Sequence, residues 1–235
     1  MDGWYTENSV AHTLLSDDSS IPIDARATKA ATVAALVQHA ALATSEDLLF
    51  ISYSGHGLSD GSWVLASPNA EIPIYTKEGG VDPAVLLSTE ELYTLLQGVE
   101  AATLIVADCC YSGALIGPTQ PNEITQRIKA AYRRYFQEEG YWPQIFVLTS
   151  TTEDHICSEP IAGVHTHGYF TEALLRSLGW DCTKQMIGRC TAIRGIDDLY
   201  QAIVLNQRIP IHSGSSAVYQ CPTIGGGPVE LLFNR

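Results

Sequence analysis

The sequence lacks most of the marks that place a chain in a special class. No apolar run approaches the roughly 18 residues that a membrane-spanning helix needs. The opening Met1-Asp2-Gly3-Trp4 has neither the basic start nor the apolar stretch of a signal peptide. A cytoplasmic address is therefore the expectation. Six cysteines in 235 residues are too few for a disulfide scaffold. No two are spaced C-x-x-C, which removes the usual zinc-ribbon and thioredoxin-like readings. In a reducing cytosol most would be free thiols, and a reactive one must be recognised by its surroundings. Positive charge is scarce, with 13 Lys and Arg against 26 Asp and Glu and a net charge of −13. Nucleic acid and anionic membrane both require a basic face, so neither is an expected partner. The balance favours a cationic ligand or a basic stretch of polypeptide.

What is present suits one α/β domain with a sizeable core, at 46% hydrophobic and 17% charged residues. Residues 28–43 are Ala-rich, with Val33, Leu36, Val37 and Leu42 near helical spacing, and predict a helix. Ser45-Glu46-Asp47 ends it, and residues 48–53 follow as an apolar run of strand length. A second helix is expected at 89–98 and a strand at 103–107. A polar stretch over 117–123 leads into an amphipathic helix through 139, then a third core strand at 144–149. Helices are expected at 168–178 and 196–206, and a last strand at 229–233. Helices alternating with short, wholly apolar strands imply a mainly parallel sheet with helices on both faces.

Ligands of parallel sheets bind beyond the carboxyl ends of the strands. Two unusual polar clusters stand there, Ser54-Gly55-His56-Gly57 and Asp108-Cys109-Cys110-Tyr111-Ser112-Gly113. The order of elements thus puts a His and a Cys on one rim. A neighbouring imidazole can take the proton of a cysteine thiol and populate the nucleophilic thiolate. Glycines on both sides of His56 permit a tight turn and close substrate approach. Gly113 permits backbone N–H groups to face a developing oxyanion.

Asp47-x-x-Phe50-x-x-Tyr53-Ser54-Gly55-His56-Gly57 followed by Asp108-Cys109-Cys110-Tyr111-Ser112-Gly113 closely resembles the two signature strands of metacaspases and their bacterial caspase-like relatives. The separation of a little over fifty residues matches the His-before-Cys order of caspases. Thr149-Ser150, Asp154, Glu159 and the run Gly168-Tyr169-Phe170-Thr171-Glu172-Ala173-Leu174 resemble the segment that opens the family's small subunit. The resemblance implies a caspase-like fold in one peptidase domain over 1–235. A large-subunit-like part would cover about 1–117, a linker about 118–140, and a small-subunit-like part about 141–235. It makes His56 the general base and Cys110 the nucleophile, with Cys109 a core or support residue. The backbone N–H groups of Gly57 and Cys110 would form the oxyanion hole. Asp108 matches an acid lining the primary specificity pocket, and Glu159 resembles a second. Such a carboxylate pair would hold a substrate arginine by charge-assisted bonds and repel an aspartate. Arg26 is the only Arg before Arg127, so the arginines that surround an Asp-binding pocket are missing.

The chain departs from the family pattern in three places. The family's first strand has no counterpart ahead of Glu7-Asn8-Ser9, so the chain is expected to begin inside the fold, and a third pocket acid is not matched. Tyr111 stands where a His usually follows the nucleophile. The aspartate cluster of calcium-dependent metacaspases is replaced by Thr89-Glu90-Glu91 and Gly117, so no calcium requirement is expected. His155, Cys157, His165 and His167 match no common zinc spacing. The Gly225-Gly226-Gly227-Pro228 run lacks the context of a phosphate loop. No metal and no cofactor are expected.

Four basic residues, Arg127, Lys129, Arg133 and Arg134, gather between 124 and 136 beside an apolar stripe. They read either as the basic face of a surface helix or as a linker the enzyme cuts itself, after Lys129, Arg133 or Arg134. The function implied is a cysteine endopeptidase that cleaves a protein partner after Arg or Lys, as an effector of bacterial cell death or antiviral defence, with a regulatory protein or domain as a further partner. The alternatives are an inactive caspase-fold binding module and a related peptidase of the clan with another primary specificity.

Overall fold

The structure is a computed structural model that describes residues 13, 15–16, 26–69, 72, 74–116, 145–157, 168–181, 186–187, 193, 195–206, 210–213 and 216–225. In chain order α1 spans Lys29–Leu42, β1 Leu48–Ser54, β2 His56–Gly57, β3 Trp63–Val64, β4 Leu86–Leu87, α2 Thr89–Leu96, β5 Ala102–Asp108 and β6 Ile145–Thr149. There follow α3 at Tyr169–Ser177, β7 at Trp180–Asp181, β8 at Met186–Ile187, α4 at Ile196–Asn206, β9 at Pro210–Ser213, β10 at Ser216–Tyr219 and β11 at Thr223–Gly225. The central sheet runs β1-β5-β6-β11, the first three strands parallel and β11 antiparallel to β6. Small antiparallel sheets pair β2-β3-β4, β7-β8 and β9-β10.

Local chemistry accounts for the helix limits. Thr28 caps α1 by accepting a hydrogen bond from Ala31 N–H. Ser88 and Glu91 form a reciprocal capping box at the start of α2. Glu91 also lies 2.6 Å from Lys29 Nζ, tying α2 to α1. The Thr89-Glu90-Glu91 segment thus has a helix-capping role. Among the described residues no helix is long and apolar enough to cross a membrane.

Strand alternation divides the core in two. Leu49, Ile51, Ile105, Ala107, Ile145 and Val147 face α1 and α2 with Leu36, Leu92 and Leu96. Leu104, Val106, Phe146 and Leu148 face the opposite way and pack with Phe170 and Leu174 of α3 and Leu199 and Ile203 of α4. The expected parallel sheet covered on both faces is therefore observed. The strand expected at 229–233, the helix through 139 and the linker 118–140 lie outside the described residues.

Candidate active site

Register brings the two polar clusters together. In the parallel pair of β1 and β5, Ser54 lies opposite Asp108 as the last partners of the ladder. His56 and Cys110 each stand two residues beyond that pair. Gly55 N–H then donates to the Asp108 carbonyl at 3.1 Å, which stitches one turn to the other. His56 is exposed and begins β2, paired with Val64 of β3.

Tyr53 fixes the His56 turn from beneath. Its hydroxyl sits 2.8 Å from the carbonyl oxygens of both His56 and Val64, sharing its proton between them. Its ring stacks on Trp63 at 4.4 Å between centroids and 7° between planes. This anchoring of the His56 backbone is not visible in the motif as a string. The odd-numbered parity of Leu49, Ile51 and Tyr53 along β1 is the signal that could have placed the ring on the inner face.

Parity also separates the two adjacent cysteines. Cys109 continues the face of Ile105 and Ala107 and is buried in the α1/α2 core. Burial, and then the negative charge of Asp108 and Cys110, push its thiol far above the ordinary cysteine range. Cys110 is half-buried, past the strand end. The chain then turns sharply at Tyr111, whose φ of 56° is the single positive value at a non-glycine among the described residues. A non-glycine in that region costs roughly 1–2 kcal/mol and needs support from its neighbours.

Support comes from the segment after β6. Tyr111 N–H donates to the His155 carbonyl at 2.8 Å. Ser150 Oγ donates to the Cys109 carbonyl at 3.1 Å, and Thr151 N–H donates to Ser112 Oγ at 3.2 Å. Gly113 fits here for a reason of packing: a Cβ on it would come within 2.6 Å of the 152–153 backbone. The cysteine turn and the Thr149-Ser150-Thr151 segment are thus one hydrogen-bonded unit. Within it Cys110 Sγ lies 3.7 Å from Cys157 Sγ.

Asp108 is buried on the opposite face, with Leu104 and Val106, and reaches the start of α3. Its Oδ2 accepts from Thr171 N–H at 3.0 Å and from Thr171 Oγ1 at 2.5 Å. Gly168 at the N-cap of α3 supplies no side-chain cap, so Asp108 fills that place from another element. A Cβ on Gly168 would stand 2.4 Å from the same carboxylate oxygen. The sequence singled out Asp108 and Thr171 separately, but their partnership depends on α3 packing against β5. Glu159, Lys129, Arg133 and Arg134 lie outside the described residues. Among the described residues no cluster of His, Cys, Asp and Glu could hold a metal ion.

A family model described as the caspase domain of peptidase C14 matches residues 8–194. The chain belongs to the caspase family. No curated protein matches significantly. Among solved structures, caspase-1 of Spodoptera frugiperda is similar at 15% identity and a TM-score of 0.49, covering 88% of this chain and 71% of that one. Protein GSU0716 of Geobacter sulfurreducens is similar at 22% identity and a TM-score of 0.47, covering 85% of this chain and 73% of the other.

In this caspase domain Gly57 is the tightest point between the two turns. A Cβ there would lie 2.2 Å from the Cys110 carbonyl oxygen and 2.9 Å from Cys109 Sγ. A backbone carbonyl cannot swing aside as a side chain can, so Gly57→Ala must push the His56 and Cys110 turns apart. A displacement on the order of 1 Å costs about a hundredfold in a positioned reaction. If the domain is an active peptidase, Gly57→Ala is therefore expected to lower its kcat/KM by about that factor while a folded domain persists by circular dichroism. Wild-type turnover in the variant would contradict the close approach of the turns.

Proposed function

We propose that this caspase domain is an active cysteine endopeptidase that cleaves a protein partner after Arg or Lys. In this reading His56 is the general base and Cys110 the nucleophile. Their placement two residues beyond the paired Ser54 and Asp108, on adjacent parallel strands, is the observation that carries it. His56 takes the Cys110 proton, and the thiolate attacks the scissile carbonyl carbon. The N–H groups of Gly57 and Cys110 receive the developing oxyanion. Proton transfer from His56 to the leaving amine releases the first product and leaves an acyl-enzyme, which water then hydrolyses.

The basic preference rests on Asp108 and, by resemblance, on Glu159. The scarcity of arginine ahead of residue 127 supports it, because an acidic substrate side chain would meet carboxylate without compensation. The biological role that fits is an effector of bacterial cell death or antiviral defence, working in the cytoplasm under a regulatory protein or domain. No calcium is needed, and Lys129, Arg133 and Arg134 are the sites where the enzyme would cut its own linker.

Two fluorogenic peptides differing only in Arg or Asp before the scissile bond test the proposal. The Arg peptide is expected to be cleaved at least a hundredfold faster. Efficient cleavage of the Asp peptide would reject the pocket assignment, and cleavage of neither would favour an inactive binding module.

A further inference from the structure

The peptidase mechanism leaves one thiol beside the nucleophile without a role. Cys157 Sγ lies 3.7 Å from Cys110 Sγ, and both cysteines are free and half-buried. The backbone holds this contact from both sides. Tyr111 N–H, next to Cys110, donates to the carbonyl of His155, two residues before Cys157. Thr151 Oγ1 donates to the same carbonyl at 3.2 Å. A disulfide needs the sulfurs about 2.05 Å apart, so closure requires an approach of about 1.6 Å from the 3.7 Å observed. Cys157 stands outside any helix or strand, so this adjustment breaks no ladder. The adjacent Cys109 is a different case, since it is locked in the core on the other side of the turn.

We propose that Cys110 and Cys157 form an oxidation site, in which Cys157 captures peroxide-oxidised Cys110 as an intrachain disulfide and holds the enzyme in a reversible inactive form. This rests on the reading of Cys110 as nucleophile. The Cys110 thiolate attacks one oxygen of hydrogen peroxide. The O–O bond breaks, the departing hydroxide takes a proton and leaves as water, and Cys110 becomes a sulfenic acid. The Cys157 sulfur then attacks the Cys110 sulfur. The S–O bond breaks, the oxygen leaves as a second water with the Cys157 proton, and the S–S bond forms. Two thiols and one peroxide thus give one disulfide and two waters, with two electrons passing from sulfur to peroxide.

The environment assigns the two roles. Burial first, and then the negative charge of Cys110 and Asp108, push the Cys157 thiol well above its ordinary range. Cys157 therefore holds its proton more tightly than a free thiol does, which makes it a poor competitor for the peroxide. Without a resolving thiol, sulfenic acid proceeds to the sulfinic and sulfonic acids, which thiol reductants do not reverse.

Peroxide treatment of the purified protein, followed by alkylation and tryptic mapping, tests the proposal. The four basic residues between the two cysteines let trypsin separate them. A cross-linked Cys110–Cys157 peptide pair is expected in the wild type, with activity lost and restored nearly completely by dithiothreitol. Relative to its own untreated value, Cys157→Ser is expected to recover at least fivefold less activity, with Cys110 found as the sulfinic or sulfonic acid. Wild-type Cys110 carrying sulfinic acid beside an alkylated Cys157 would overturn the proposal. Equally complete recovery in Cys157→Ser would do so too. The mapping needs no substrate, so a cross-link in a protein that cleaves nothing would sustain the oxidation site and reject the peptidase assignment alone.

Discussion

Cys110→Ala and His56→Ala are each expected to abolish nearly all turnover, a loss of about 10⁴- to 10⁶-fold in kcat. In the proposed mechanism the two groups act as one unit, because the imidazole takes the proton from the thiol that attacks. The double variant should therefore be little worse than either single one. Cys109→Ala is the informative control. Cys109 belongs to the α1/α2 core, and its burial keeps the thiol protonated. Removing its sulfur leaves a small cavity, costing roughly 1 kcal/mol of stability, with most of the activity retained. Steady-state kinetics on an Arg peptide and thermal melts separate the two outcomes. An inactive Cys109→Ala beside a working Cys110→Ala would reverse the assignment of the nucleophile.

The second large effect belongs to Asp108. Its carboxylate caps α3 through Thr171, so alanine would remove both that helix cap and the proposed pocket charge, and the two losses would be confounded. Asn keeps an acceptor for Thr171 N–H and removes only the charge. Asp108→Asn is therefore expected to lower kcat/KM for an Arg peptide by the equivalent of about 2–5 kcal/mol, the cost of unpairing one partner of a buried charge pair. The melting temperature should fall much less than in Asp108→Ala, which also loses a cap worth about 0.5–2 kcal/mol. Discrimination between Arg and Asp peptides should narrow by the same factor. If Asp108→Asn cleaves the Arg peptide as well as the wild type, Asp108 is a structural cap and the pocket charge lies elsewhere.

The parts of this molecule that were legible in the sequence are those with a local cause. The apolar runs at 48–53, 103–107 and 144–149 have strand length and appear as β1, β5 and β6, with β5 and β6 buried nearly throughout and β1 exposing Phe50 and Ser52. The helix expected at 28–43 is bounded by its Thr28 cap, and Ser88 with Glu91 sets the start of the one expected at 89. The short strands β2, β3 and β4 went unseen because two residues carry no periodicity, and their pairing is set by the His56 turn. β11 also went unseen, since Thr223-Ile224-Gly225 pairs only because β6 offers it an edge.

The candidate site divides in the same way. His56 and Cys110 were legible because each follows a strand within a distinctive run. The contacts that hold them come from distant parts of the chain. Thr171 reaches Asp108 across a sequence separation of 63, and Cys157 reaches Cys110 across 47. Spacing alone offered Cys157 only as part of a poor zinc pattern. Its contact with Cys110 depends on the Tyr111 turn, whose left-handed backbone no propensity assigns to tyrosine.

Cys110 is proposed as the nucleophile of an enzyme selective for basic residues. An irreversible cysteine-reactive probe carrying arginine at the specificity position addresses both halves at once. Wild-type protein incubated with that probe and with its aspartyl counterpart would be digested and mapped by mass spectrometry. Rapid modification of Cys110 by the arginyl probe alone is expected, and it should be greatly slowed in His56→Ala. Modification of Cys109 or Cys157 in place of Cys110, or faster reaction with the aspartyl probe, would contradict the account.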